Sequence, residues 1–579
     1  MARPSGAERS RPKGRGRIPR PGSARPQPPD HGGRLPAALL IPGDEGMGLS
    51  ALGWQVAFRL LSSEPEIAVE RFFLGKGFHA PKSADSGRDL TLFPLMAASV
   101  SFEEDFLPLL RTLAAAGVPP SRAERPDYPL VLVGGPVAFL NPAPLAPLAD
   151  AFWVGEAEAG LADFCLALKR AVFEGVPKAD FLASVAHMPG LYVPGLTTTP
   201  VRRVVALDAD STLLACPAAS VFTGPQAAFP DALLLEINRG CPHACRFCAA
   251  GFVYRPPRHA RLDDLVALVE EAAPPKVGLV GTALTDWPDL LPFLRWLAER
   301  KTKFSLSSLR ADGLTEELLV FLRQVGIRTI TLALEGASER LRRAANKKLD
   351  AEVFLQAVER CANLGVNHLR VYLIIGWPWE GPQDYDELEA FLARVVEARD
   401  RGHGARTREF MRITVGASCL VPKPFTPLQW APMTSEEGLI AGQKRLAEMV
   451  KKLRGVALNV DAPFQARLQG VLSRGGEETF RLVEMAAAEG GWKKAMRRFE
   501  AETADILDRE RAADEAFPWE VIDLGVTRKS LRREYERAGR FLHTPGCPPK
   551  GCPDCGLCGM DEWLAPGADV STAPDRSQG

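Results

Sequence analysis

The chain has 579 residues, too many for one hydrophobic core and enough for about three or four units of the usual domain size. Its 71 Lys and Arg balance 71 Asp and Glu, so no global field draws it to nucleic acid or to a membrane surface. No apolar run approaches the roughly 20 residues that span a bilayer, and the N-terminus lacks the apolar stretch of a secretory signal. The expectation is a cytoplasmic protein without membrane contact.

In chain order, residues 1–34 are rich in Arg, Pro and Gly and poor in large apolar side chains, and they read as a disordered basic tail. That tail is the only support for a nucleic-acid contact. From 35 to 200, apolar runs such as "PAALLIP", "AVERFFL", "LFPLMAASVS" and "YPLVLVGG" alternate with helical periodicity, including a helix expected from Glu103. This alternation predicts a Rossmann-like α/β domain with a parallel sheet. Ligands of such sheets lie beyond the carboxyl ends of the strands, where this chain carries the loops "PGDEGMG" (42–48), "SVS" (99–101) and "GGP" (134–136). Small residues there let a ligand approach the backbone, although tight turns alone also favour them.

After a less patterned linker at 201–230, strand runs restart at Asp231: "ALLLEI", "KVGLVG", "KFSLSSL", "RTITLALE", "HLRVYLIIG" and "EFMRITVGA". Amphipathic segments separate them; in "LDDLVALVEEA", Leu262, Leu265, Val266 and Val269 share one helical face. Repeated βα units over 231–433 predict a partial barrel with its chemistry at the carboxyl ends of the strands. From Thr434, with Glu437 completing a capping box, helical patterning continues to about residue 540. A cysteine-rich knuckle at 541–563 and an unstructured tail at 564–579 complete the chain.

Seven of the 11 cysteines fall into two clusters, while Cys165, Cys216, Cys361 and Cys419 stand singly among apolar neighbours as buried thiols. Cys241, Cys245 and Cys248 follow the first barrel strand with the spacing C-x3-C-x2-C. A disulfide needs an even count and tetrahedral zinc needs four ligands, so His243 would have to complete a zinc site. Three thiolates on a cubane instead leave one iron open to bind a reactant. In the second cluster, Cys547, Cys552, Cys555 and Cys558 supply four thiolates near Lys550, which suits an auxiliary iron–sulfur cluster or structural zinc equally by spacing.

The run Cys241-Pro-His-Ala-Cys245-Arg-Phe247-Cys248 resembles the signature of the radical SAM superfamily, C-x3-C-x-aromatic-C after the first strand of a partial (β/α)6 barrel. The resemblance implies a 4Fe-4S cluster and S-adenosyl-L-methionine chelated to its open iron. It also implies reductive release of methionine and a 5′-deoxyadenosyl radical, with a low-potential electron donor, flavodoxin or ferredoxin, as partner. The resemblance implies that Phe247 contributes to cofactor binding; the family's glycine-rich turn after strand two resembles Gly281-Thr282-Ala283, and its strand-four acidic residue resembles Glu335. After strand three, Ser308 and Arg310 stand beside the proposed cofactor, the Arg suited to a carboxylate. "IIGWPWE" resembles the Gly-x-Pro-x-Glu element that shapes the adenine pocket, here Gly376, Pro378 and Glu380.

Over residues 36 to 560 the chain more specifically resembles cobalamin-binding-domain radical SAM proteins, in an uncharacterised subgroup with "NRGCPHACRFCAAGFVYRP", "VPKPFTPLQW", "GVLSRGG" and a terminal cysteine knuckle. There the corrinoid's nucleotide tail lies against loops equivalent to "SVS" and "GGP", which nominates Ser99, Ser101, Gly134 and Gly135. One departure is that "GDEGMG" offers no axial histidine, so bound cobalamin would be His-off; the alternative is a domain that serves only packing or docking. The implied reaction is methyl transfer to an unactivated carbon by a cobalamin-dependent methyltransferase. The alternatives are a rearrangement or methylthiolation without methylcobalamin, or a non-catalytic iron–sulfur RNA-binding or sensing module. The substrate is not legible.

Overall fold

The computed structural model describes residues 29–74, 79–307, 309–404, 410–545 and 555. Its N-terminal sheet comprises β1 (Leu35–Ile41), β2 (Ile67–Phe73), β3 (Leu95–Ser99), β4 (Leu130–Gly134), β5 (Ala151–Trp153) and β6 (Leu191–Tyr192). They lie in the order 2-1-3-4-5-6, the first five parallel and the last antiparallel. Helices cover both faces, which is why these strands read as continuous apolar runs. Trp54, Phe58 and Leu61 of the helix Leu52–Ser63 pack with Leu39, Ala97 and Leu132 on one face. Phe106, Leu109 and Leu113 of Phe106–Ala115 pack with Leu40, Met96 and Val133 on the other. Strand order reverses between β1 and β3, so a crevice opens beyond their carboxyl ends.

Three expectations for this region change. The helix expected from Glu103 opens as a 3-10 turn, Glu103–Asp105, and becomes α-helical at Phe106. "PGDEGMG" is largely a short helix, Glu45–Ser50, capped by Asp44 accepting from the Met47 amide. Residues 29–34, assigned to the tail, are ordered: His31 Nε2 meets Glu70 Oε1 at 2.7 Å.

Among the described residues seven parallel strands, where six were expected, build the barrel: Ala232–Glu236, Lys276–Val280, Lys303–Ser305, Thr329–Glu335, His368–Ile375, Arg412–Cys419 and Val456–Val460. The first three and the last four form separate ladders in sequence order, joined by a parallel bridge between Leu309 and Leu332. The seventh strand lies inside the span read as helical; it is only 5 residues long, and none of them is buried. In strand five, buried Leu369, Val371, Leu373 and Ile375 alternate with the less buried Arg370, Tyr372 and Ile374, as period-two patterning requires.

The helix expected at Thr434 is Glu436–Lys451, and its N-cap is Ser435, which accepts from the Gly438 amide. Thr434 Oγ1 instead donates to Gly376 O at 3.0 Å, tying this helix to the fifth strand's end. The linker also has structure: Val201–Arg202 pairs in parallel with Ile522–Asp523, and Gln55 Oε1 accepts from the amides of Val221 and Phe222 at 2.7 and 2.8 Å. C-terminal helices bind both halves together. Asn141 Nδ2 donates to Ser473 O and Gly475 O at 3.1 and 2.8 Å, and Arg111 Nη2 to Ala486 O at 3.1 Å. Among the described residues no helix is long and apolar enough to cross a membrane.

Candidate active site

The loop leaving the first barrel strand is shaped by backbone geometry. Gly240 has φ +83°, and a Cβ there would stand 2.4 Å from Tyr254 O, so only glycine fits. Ala244, between the first two cysteines, holds φ +52°, a conformation a non-glycine residue adopts only where its surroundings impose it. The Cys248 amide then donates to Cys245 O at 3.0 Å and the Gly251 amide to Cys248 O at 3.1 Å, opening the short helix Ala250–Val253. Cys241, Cys245 and Cys248 are therefore displayed, each half-buried, on one turn at the carboxyl end of a barrel strand.

Burial raises all three thiols, Cys245 to about 12, with Lys347 opposing and the Cys248 and Cys241 thiols adding to the rise there. A metal group at this turn must displace protons to bind. Among the described residues no three Cys, His, Asp or Glu side chains converge as a single metal ion requires. His243 Nε2 is engaged 2.6 Å from Asp286 Oδ2. His243 is thereby held by Asp286 rather than turned toward the three thiols as a fourth ligand.

Around the thiols stand residues from the other strand ends. Glu335 ends the fourth strand at φ +68°, where the register slips after Ala333, and its Oε1 lies 3.3 Å from Lys347 Nζ. Arg310 Nε and Nη2 bind Asp312 at 3.0 and 2.5 Å, so its fork is already occupied. Burial works against that guanidinium's charge, and Asp312 more than restores it. Phe247 packs on Trp377, and Gly376 (φ +82°) and Trp377 both donate backbone amides to Glu380, Pro378 completing that turn. Ser308, Cys547, Cys552 and Cys558 lie outside the described residues. Cys555 is half-buried, and its carbonyl accepts from the Thr527 amide at 3.1 Å.

A cavity of about 470 Å³ lies between the N-terminal sheet and the barrel, within the about 300–1,000 Å³ typical of small-ligand sites. Ser99, Ser101, Gly134 and Gly135 border it from the sheet, and Gly240, Gly281 and Thr282 from the barrel. Its space is made by missing side chains: a Cβ on Gly53 would meet nothing within 4 Å, and one on Gly134 only Trp153 Cβ at 3.9 Å. Gly135, at φ +97°, closes on the β3 loop, since a Cβ there would stand 2.5 Å from Val100 O. The small residues at the sheet's crevice leave room for a flat heterocycle such as a corrinoid's tail, while Glu156, Glu158, Arg203 and Arg239 also line the cavity and make it charged as well as apolar. Arg310, Glu335, Phe247, Gly376 and Pro378 do not border it; they surround the thiol turn and the end of the fifth strand.

Several site residues escaped sequence reading. Asn238 Oδ1 accepts from the Thr282 amide at 2.8 Å while its Nδ2 donates to Ala283 O at 2.7 Å, and Thr282 Oγ1 donates to Gly240 O at 2.5 Å. These bonds lock the strand-two turn to the cysteine loop. Beyond β5, Glu156 accepts both Arg258 terminal nitrogens and lies 2.9 Å from Arg239 Nη1, with Arg203 at 3.9 Å. Arg239 also reaches Glu236 and Glu158, at 2.7 and 3.0 Å. Burial alone would raise Glu156, but these guanidinium groups hold it at about 2. Asn238 and Arg239 were visible in sequence only as members of the run before Cys241.

Comparison with known proteins agrees with the strand-end thiol turn: residues 235–392 match the radical SAM superfamily. This barrel is a radical SAM domain. Residues 53–194 match the N-terminal region of radical SAM proteins. The chain is 26% identical over 455 residues to an uncharacterized protein of Methanocaldococcus jannaschii, covering 77% of this chain and 90% of that one. It is 23% identical over 266 residues to the ribosomal protein uS12 methylthiotransferase RimO of Elusimicrobium minutum, covering 42% of this chain and 60% of RimO. Among solved structures, it overlays the radical S-adenosylmethionine methyltransferase TsrM of Kitasatospora setae, solved with cobalamin and a 4Fe-4S cluster bound. The TM-score is 0.48 at 13% identity, over 79% of this chain and 100% of that one.

Proposed function

We propose that the chain is a radical S-adenosyl-L-methionine enzyme that holds a 4Fe-4S cluster through Cys241, Cys245 and Cys248. In this reading it binds cobalamin in the interdomain cavity and transfers a methyl group to an unactivated carbon. The observation that carries the reading is the shared cavity: loops at the crevice of the sheet and the glycines beside the cysteine turn border one space, so a ligand of the sheet faces the radical SAM domain. Held by the three cysteines, the cluster would supply reductive cleavage of S-adenosyl-L-methionine, and cobalamin in the cavity a methyl carrier.

The chain's own residues orient and shield. Gly281 and Thr282, with Glu335 and Arg310 around the thiols, line the space for S-adenosyl-L-methionine. Ser99, Ser101, Gly134 and Gly135 receive the corrinoid tail, with no histidine from residues 42–48. The Lys347 ammonium offsets negative charge at the thiolates. The reading also takes the protein as cytoplasmic, reduced by flavodoxin or ferredoxin, with an auxiliary iron–sulfur cluster or zinc at Cys547, Cys552, Cys555 and Cys558.

The test is anaerobic reconstitution with iron and sulfide, then a strong reductant with S-adenosyl-L-methionine, alongside an absorbance titration with hydroxocobalamin. Release of 5′-deoxyadenosine and a saturable shift of the cobalamin bands support the reading. No nucleoside release and no shift would overturn it. The likeness to RimO favours methylthiolation as the second reading; nucleoside release without cobalamin binding would select it.

A further inference from the structure

Arg246, between Cys245 and Phe247, is fully buried, and all five of its N–H donors are used. Nε donates to Glu534 Oε2 at 3.0 Å, Nη1 to Arg343 O and Ala344 O at 3.0 Å each, and Nη2 to Leu542 O at 2.9 Å and Thr544 Oγ1 at 2.8 Å. Its backbone amide donates to Ala345 O at 2.9 Å. The far side closes on the same loop: the Thr544 amide donates to Asn346 Oδ1 at 2.9 Å, and Asn346 Nδ2 reaches His243 O and Ala244 O at 3.4 Å. Thr544 Oγ1 in turn donates to Glu534 Oε2 at 2.5 Å. A ring of contacts thus runs from residues 243 and 244 through Asn346, Thr544 and Glu534 back to Arg246.

We propose that Arg246 is a positioning residue, and that the C-terminal segment carrying Glu534, Leu542 and Thr544 is part of the active site. Together they fix the orientation of the cysteine turn toward the S-adenosyl-L-methionine space. The proposal rests on the reading of the three cysteines as cluster ligands.

The geometry goes beyond tethering. The guanidinium plane is held from both sides, by helix Glu339–Ala344 after the fourth strand and by the C-terminal segment, while residue 246 has ligands one position before and two after it. The backbone beside Cys245 is held as well, through the Arg246 amide on Ala345 O and Asn346 on the carbonyls of His243 and Ala244. Only the planar five-donor fork satisfies this set; an ammonium offers three donors from a point.

The experiment uses the full chain, reconstituted anaerobically, as wild type, Arg246→Lys and Thr544→Val. Three quantities are read: iron per chain, the electron paramagnetic resonance spectrum of the reduced protein with and without S-adenosyl-L-methionine, and the rate at which 5′-deoxyadenosine is released, resolved into kcat and KM. The expected result is wild-type iron in Thr544→Val, a ligand-induced spectral shift that is smaller or altered in both variants, and a fall of at least ten-fold in kcat/KM. Wild-type spectra and kinetics in Thr544→Val and Arg246→Lys would overturn the proposal. So would activity lost only in proportion to lost iron, which marks a merely structural tether. A wild type with no iron–sulfur signal would instead overturn the cluster reading itself.

Discussion

Phe247 meets Trp377 edge to face, with ring centroids 5.8 Å apart at 89°. Trp377 is almost fully buried and anchors its indole N–H on Ile374 O at 3.0 Å, so the aromatic of the cysteine motif rests on the turn that ends the fifth strand. Phe247→Ala removes the ring from this contact and is expected to cost about 2 kcal/mol, below the full cost of deleting a buried Phe because Phe247 is half-buried. Thermal unfolding of the metal-free protein measures it. Phe247→Leu, which keeps most of the volume, should lose less than half as much.

At Gly135 a side chain meets two penalties, φ +97° and a Cβ 2.5 Å from Val100 O. Gly135→Ala should cost about 1–3 kcal/mol through backbone strain. It should also weaken hydroxocobalamin binding at least ten-fold, read from the absorbance titration, with iron content unchanged.

Glu156 joins the sheet to the barrel through Arg203, Arg239 and Arg258. Glu156→Gln leaves those guanidinium groups without their buried counter-charge and should cost about 3–5 kcal/mol. The carboxyl is held at about 2, below its unfolded value of 4.5, so its contribution is complete above pH 4.5 and is lost as pH falls toward 2. In a pH series of thermal midpoints, the variant should show a shallower decline over that acid window.

Glu380 titrates in the opposite sense. Burial pushes it up to about 7 even though the Gly376 and Trp377 amides donate to it. The folded protein holds this proton where the unfolded chain releases it, so the contribution falls as pH rises from 4.5 to about 7 and is flat above. Glu380→Gln should remove that slope between pH 5 and 7, a window separate from that of Glu156.

What the sequence discloses is what lies close together along it. The C-x3-C-x2-C turn, the "SVS" and "GGP" loops and most strands are contiguous patterns, and all stand at strand ends in the structure. Arg246 was a spacer in a motif because its partner Glu534 lies 288 positions away. Asn238 reaches a carbonyl 45 residues on, and Arg258 pairs with Glu156 across 102 residues. Buried charge networks of this kind leave no periodic trace. The seventh barrel strand was hidden because its short run follows closely on the helix Glu436–Lys451 and was absorbed into that helical span. The Cys216 thiol, read as buried, is only half-buried and takes a contact from Arg59 Nη2 at 3.7 Å.

The most direct test is the electron paramagnetic resonance spectrum of the anaerobically reconstituted, reduced chain before and after adding S-adenosyl-L-methionine. The account predicts a cubane signal with a component whose g-values shift on addition, and Cys245→Ala abolishes that responsive component. A spectrum indifferent to the added sulfonium, or a sulfonium-responsive component that survives in Cys245→Ala, would contradict it.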